Sequence, residues 1–221
     1  MRLLRRAAWL LALALPAALL ASLLAVIALR YVEPPTTAFM ARARVASWFD
    51  EDPRPYTLHH EWRDLSQISP QLQLAVIAAE DQRFPEHNGF DFKQIRKALD
   101  EAENGGRARG ASTISQQVAK NLFLWPGHSW FRKGLEAWFT LLIEWTWPKH
   151  RILEMHLNIA EFGRGIYGAE GAARAHFGKS AARLNKQEAA RLAVVLPNPI
   201  RLNAKRPVPT CCAGNGRSRH R

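Results

Sequence analysis

Residues Ala7 to Leu29 are apolar apart from Ser22, with one proline at position 16. That run reaches the roughly 20 residues needed to cross a bilayer core as a helix. Breakers follow at Glu33-Pro34-Pro35 and Pro53-Arg54-Pro55, around a short amphipathic stretch from Phe39 to Phe49 that suits a membrane surface. From Ser69 onward the apolar positions recur at helical spacing. Ser69-Pro70 reads as a cap with proline in the first turn, leading into Leu72 to Ala79, with Glu80 at the end. Asp91 caps a second helix carrying Phe92, Ile95, Leu99 and Ala102, stopped by Gly105-Gly106, and residues 105–111 form a Gly/Arg loop. A third helix opens at Ser112, with Ile114, Val118 and Leu122 on its buried side and Thr113, Gln117 and Lys120 on another. Pro126-Gly127 ends it. Ser129 caps a long helix with the apolar stripe Phe131, Leu135, Trp138, Leu142 and Trp145. On another side run Arg132, Glu136, Thr140 and Glu144. After Pro148, helix is expected over Lys149 to Ala160, then a turn-rich stretch with Gly163, Gly165 and Gly168. A last helix starts at a capping box formed by Asn185 and Glu188 and ends before Pro197-Asn198-Pro199. No stretch alternates with period two, so the expected fold is all-α.

This pattern divides the chain into an N-terminal segment and membrane anchor (1–30), a juxtamembrane linker (31–60), a folded helical domain (61–208) and a disordered tail (209–221). Arg2, Arg5 and Arg6 precede the apolar run, which places the N-terminus in the cytoplasm and the domain outside. A cleaved signal peptide is the competing reading, for which the apolar core is too long. The net charge is +12. Removing residues 1–30, with four arginines and no acid, leaves 27 basic against 19 acidic residues, or +8. A domain so basic suits phosphate-bearing substrates, anionic lipid or nucleic acid, and charge alone does not choose. The only cysteines, Cys211 and Cys212, are adjacent and cannot form a disulfide framework, and no zinc-type spacing occurs.

Each candidate for chemistry has an ordinary alternative. Glu80 follows six apolar residues at a helix C-terminus, where desolvation and the helix dipole both disfavour the anion. Such a carboxylate suits a general base, or it is a solvated glutamate at a fraying end. Lys120 beside two glutamines suits a diphosphate, or it is an exposed lysine. Arg132 and Glu136 are either a surface i,i+4 pair of small energy or an active-site row. Trp125, Trp130, Trp138, Trp145 and Trp147 fit a membrane interface or an aromatic core equally well. His87 is most simply the residue that orders its turn.

The blocks together are more specific than any one of them. Glu-Asp-x-x-Phe-x-x-His-x-Gly at 80–89 and Gly-x-Ser-Thr-x-x-Gln-Gln-x-x-Lys-Asn at 110–121 are similar to the first two signatures of the peptidoglycan glycosyltransferases (glycosyltransferase family 51). Arg132-Lys133-x-x-Glu136 resembles the third, Ile152 to Asn158 the fourth and Arg191 to Leu196 the fifth. The resemblance covers about 45–208 and, with no penicillin-binding domain following, points to the monofunctional biosynthetic transglycosylases. It implies a lysozyme-like helical fold with a head and a membrane-facing jaw. It also implies a bacterial inner-membrane location with the domain in the periplasm, and polymerisation of lipid II into β-1,4-linked glycan with release of undecaprenyl diphosphate. By position, Glu80 is then the catalytic base and Glu136 the second catalytic carboxylate, near the donor phosphate or its metal. Lys120 and Arg132 stabilise the departing diphosphate, and Ser112, Thr113, Gln117 and Asn121 line the cleft. No metal site of protein ligands is expected. A divalent cation, Mg or Mn, accompanying the diphosphate is left open. Expected partners are lipid II, the growing lipid-linked glycan, the membrane and other cell-wall synthesis or division proteins, with no nucleic acid.

Two departures from the family pattern stand out. His156 occupies a position where the fourth signature usually has tyrosine, and a packing adjustment is expected there. The end of the chain, Cys211 to Arg221, does not resemble the family's basic helical C-terminus. The rival enzyme reading is a lytic, glycan-cleaving relative of lysozyme, which needs no cation pair for a diphosphate. A membrane-anchored nucleic-acid-binding protein is the rival from another class, supported by charge alone.

Overall fold

The computed structural model describes residues 2–49, 56–103, 112–127, 129–199 and 204, with side chains from residue 12 onward. The breakers at 53–55, the loop at 105–111 and the tail from 209, with its two cysteines, lie outside the described residues. Among the described residues the α-helices are α1 (Arg2–Tyr31), α2 (Ala38–Ala46), α3 (Pro70–Glu80), α4 (Phe92–Glu103), α5 (Ile114–Phe123), α6 (Trp130–Thr146), α7 (Lys149–Ile159), α8 (Gly168–Phe177) and α9 (Lys186–Val195). Strands β1 (Glu161–Gly163) and β2 (Ile166–Tyr167) make an antiparallel hairpin between α7 and α8. The fold is therefore all-α but for this hairpin, whose strands are too short to show a period of two.

The caps expected from sequence set most of the helix starts. Ser69 accepts from the Gln71 amide and Asp91 from those of Lys93 and Gln94. Ser129 caps α6, and Asn185 with Glu188 forms a capping box on α9. One start moves. Thr113, not Ser112, caps α5, in a capping box completed by Gln116. The Thr113 hydroxyl also donates to the Gly89 carbonyl at 2.6 Å, tying α5 to the loop after α3. Gly89 itself has φ +86, and a Cβ there would lie 2.8 Å from Thr140 Cγ2. Only glycine fits that approach without strain.

Helix α5 runs through the centre, packed against α2, α6 and α7, while α3 lies along α9 and α7 along α8. Ile68, Leu72, Val76, Ile114, Val118, Ile143, Ile152, Met155, Leu157, Phe162 and Leu192 are buried between them. The fourth signature holds a backbone segment in place. Glu154 accepts from the Leu65 amide, and Asn158 pairs its amide group with both the N–H and the C=O of Arg63. The segment after Phe39 does not stand apart on its own: α2 packs on α5 and buries Met40.

Helix α6 buries its polar row together with part of its apolar stripe. Its buried positions are Arg132, Glu136, Thr140, Leu142 and Ile143, whereas Phe131 and Trp145 are 72% and 77% exposed. The polar row faces inward because every charge in it finds a partner there. Arg132 and Lys133 bind Glu136, and Lys149 and Ser115 bind Glu144. Of the apolar stripe, Trp138 meets α1, and Phe131 and Trp145 face the exterior. Trp138 donates to Ser22 and Trp147 to the Val26 carbonyl, and Arg30 donates to the Thr146 carbonyl. The 20 residues Ala12–Tyr31 of α1 have a mean hydropathy of 2.5 and are mostly unburied, as a membrane span would be.

Candidate active site

Three cavities follow one another, the first meeting the second at Ser112 just before α5. The first, about 290 Å³, is lined by Glu80, Asp81, Gln82, Asp91, Gln94, Lys97, Ser112 and Thr113 among others. The second, about 440 Å³, holds Lys120, Arg132, Lys133 and Glu136, with Ser112, Gln116, Gln117 and Phe39. The third, about 420 Å³, shares Phe39, Gln117 and Lys120 with the second and adds Asn121, Glu161, Tyr167 and the 196–199 segment. All eight sequence-derived site residues thus border one cleft, from an acidic end at Glu80 through a cationic middle.

Glu80 lies at the last turn of α3, where the Gln117 side-chain amide donates to its Oε2 at 2.6 Å. Its Oε1 is buried and has no partner. Burial pushes the carboxyl above its ordinary value. The Gln117 hydrogen bond and the Lys120 charge pull it back, and the Asp81 charge raises it further. Asp81 fixes the backbone around it. It accepts from the Ile114 amide at the start of α5 and takes the His87 Nε2 at 2.9 Å, both side chains being buried. His87 therefore orders the turn, as its sequence context suggested.

The cationic middle is built on the inward row of α6. Arg132 donates to Glu136 at 2.8 Å and Lys133 reaches the other oxygen, so Glu136 has both oxygens engaged. Arg132 keeps a buried Nε–H without an acceptor. Lys120 lies one element away. Burial lowers the affinity of its amine for a proton, Glu136 and Glu80 oppose this, and Arg132 and Lys133 add to it. Thr113 reaches the cleft as part of its wall, its hydroxyl already engaged by the cap and Gly89.

Sequence reasoning missed Phe39 and Glu161. Phe39 lies far from the motifs in sequence, and the amphipathic stretch it opens points to a membrane surface and not to the cleft. Glu161 stands on β1, and burial pushes its carboxyl up to about 7. His156 is fully buried with neither ring nitrogen partnered, and burial beside Lys120 holds it down to about 4, so it is neutral. It packs as a small aromatic. Among the described residues no group of three His, Cys, Asp or Glu is placed to hold a metal.

A family model described as Transglycosylase matches residues 49–216. A protein of Xanthomonas campestris pv. campestris (strain B100), named biosynthetic peptidoglycan transglycosylase, is 59% identical over 187 residues, covering 85% of this chain and 76% of its own length. Similar proteins of the same name from Xanthomonas axonopodis pv. citri (strain 306) and Pseudomonas entomophila (strain L48) are 57% and 55% identical, covering 85% and 84% of the chain and 76% and 78% of their own lengths.

Proposed function

Because this chain belongs to the transglycosylase family, as an enzyme of cell-wall glycan polymerisation with a lysozyme-like helical domain, we propose that it joins lipid II units into β-1,4-linked strands and releases undecaprenyl diphosphate. The observation that carries this reading is the cleft with the Glu80 carboxylate at one end and Lys120 and Arg132 in its middle, where two buried groups lack partners. Glu80 Oε1 is an acceptor awaiting a donor, and Arg132 Nε–H is a donor awaiting an acceptor. A sugar hydroxyl matches the first and a diphosphate oxygen the second. A polar group buried without its partner costs free energy, and substrate would supply both partners.

The chemistry follows from those atoms. Glu80 takes the proton of the acceptor 4-hydroxyl as its oxygen attacks the donor anomeric carbon. The bond to the diphosphate breaks on the opposite face of that carbon, so configuration inverts. Lys120 and Arg132 stabilise the charge that builds on the leaving diphosphate. Glu136 acts by holding Arg132 and Lys133 in place, and Gln117 orients Glu80. Ser112 and Asn121 line the cleft on either side of Lys120. Raised by burial, the Glu80 carboxyl is a stronger base than an exposed one would be. We place any divalent cation on the substrate diphosphate and not on the protein, since Glu136 is already neutralised by two cations, and no step depends on it. The relatives' names, with the word biosynthetic, and the cationic middle of the cleft disfavour the lytic alternative.

In this proposal α1 anchors the enzyme in the bacterial inner membrane with the domain on the periplasmic side. The basic residues before the apolar run support that orientation. Exposed Trp130, Phe131 and Trp145 on α6 and Trp48 and Phe49 after α2 suit a lipid interface, where the substrate's lipid tail lies. The test is polymerisation of labelled lipid II in detergent. Wild type should make long glycan, and folded Glu80→Gln should be slower by about 100-fold or more, as for loss of a general base. Glycan made by Glu80→Gln at the wild-type rate would remove Glu80 from its role.

A further inference from the structure

The Lys120 ammonium lies 5.7 Å from the centroid of the Phe39 ring. Phe39 is also one of the three residues that line both the cationic cavity and the third cavity, the others being Lys120 itself and Gln117. The ring is presented by the first turn of α2, whose direction is set on both sides. Thr37 accepts from the Met40 amide as N-cap, and Met40 is buried in the core. Helix α2 begins at Ala38, soon after α1 ends at Tyr31.

We propose that Phe39 is a positioning residue for transfer, its ring face holding the Lys120 ammonium at the junction of the two cavities without taking any of its N–H protons. This rests on the reading of the cleft as a diphosphate site. A desolvated ammonium needs an electron-rich partner, and each kind of partner has a consequence. A carboxylate would neutralise the charge and occupy the N–H groups, as Glu136 does for Arg132 and Lys133. An aromatic face attracts the cation through its quadrupole and leaves the donors free. Among the described residues no hydrogen-bond acceptor is placed on Lys120. Toward the described residues its three N–H groups are uncommitted and can meet an entering diphosphate. The burial that lowers the affinity of Lys120 for its proton makes such support useful, because the amine must stay charged to serve. The arrangement also ties the site to the segment that follows the membrane helix, since α2 carries the ring.

The experiment compares Phe39→Leu, which keeps apolar bulk but has no π face, with Phe39→Tyr, which keeps the ring. Both are made in the full chain and checked by thermal unfolding. Two readouts are taken: affinity for inorganic pyrophosphate, by calorimetry, and lipid II polymerisation. Phe39→Leu should bind pyrophosphate about 3- to 30-fold more weakly, the range a desolvated cation–π contact supports, and polymerise more slowly, with an unchanged unfolding midpoint. Phe39→Tyr should stay within about twofold of wild type in both, since the ring face is retained. Equal affinity in Phe39→Leu and wild type would overturn the proposal, as would a Phe39→Tyr impaired as much as Phe39→Leu, or folded wild type that binds no pyrophosphate. A wild type that binds pyrophosphate but makes no glycan overturns the polymerase reading instead, and Phe39 is then judged on the pyrophosphate comparison.

Discussion

Glu80 and Glu161 are both carboxylates pushed up by burial, yet they differ in what surrounds them. Glu80 is restrained by Gln117 and Lys120, whereas no named partner opposes the desolvation of Glu161, which reaches about 7. Since its folded value lies above its ordinary one, Glu161 binds a proton more tightly folded than unfolded. Its contribution is full below the ordinary carboxylate value and is lost as pH rises through about 7. Glu161→Gln, which mimics the protonated form, should therefore unfold at the wild-type temperature near pH 4.5. At pH 8 it should be more stable, by about 1 kcal/mol after discounting for partial exposure, or about 2–4 °C. Melting curves at the two pH values check this, and an equal shift at both would show that charge is not the cause. Glu80 could be singled out from its motif and its apolar neighbours in sequence. Glu161 could not, because its desolvation comes from packing around a hairpin and not from its own neighbours.

At the scale of elements, α5 is the organising unit, and its start is its most constrained point. Thr113 caps it, Gln116 closes the box, Gly89 accepts from the Thr113 hydroxyl, and Asp81 accepts from the Ile114 amide. The end of α3, which carries Glu80, and the start of α5, which leads to Gln117 and Lys120, are thereby locked together. Thr113→Ala should lower stability by about 1 kcal/mol, and up to about 2 where the cap is buried. Thr113→Ser should recover most of it, because the cap needs only the hydroxyl. Chemical denaturation of the two variants checks this, and equal losses would mean that the methyl group and not the cap carries the effect.

For the molecule as a whole, α1 is docked on the domain as well as preceding it. Val26 is fully buried, and Trp138, Trp147, Arg30 and Arg151 all bond between the domain and residues of α1 or its end. Such contacts fix how the cleft stands relative to the anchor. Trp147→Phe keeps the apolar bulk but removes the indole N–H that donates to the Val26 carbonyl, an interior carbonyl of α1, and the loss of that one hydrogen bond should be about 0.5–1.5 kcal/mol. Thermal unfolding of the full chain in detergent reads it. An unfolding midpoint equal to that of wild type would make α1 a tether without structural weight.

The hairpin and α8 left no legible pattern, and the cleft residues were reached through the family resemblance of their motifs; most other helices, their caps and the apolar N-terminal helix were legible in the sequence. They depend on local chemistry: a hydroxyl before a helix, a proline at its start, a spacing of three or four. The tertiary structure decided which side of α6 is the inside. Its period showed two stripes, Phe131 to Trp145 and Arg132 to Glu144, and the usual rule would bury the apolar one. In the fold the polar stripe is buried alongside Leu142 of the apolar one, because Lys149, Ser115 and the α6 cations themselves satisfy its carboxylates, while Trp138 meets α1 and Phe131 and Trp145 face the exterior. The meeting of Phe39 with Lys120 was equally invisible, since a contact across the cleft leaves no trace in the spacing of either helix.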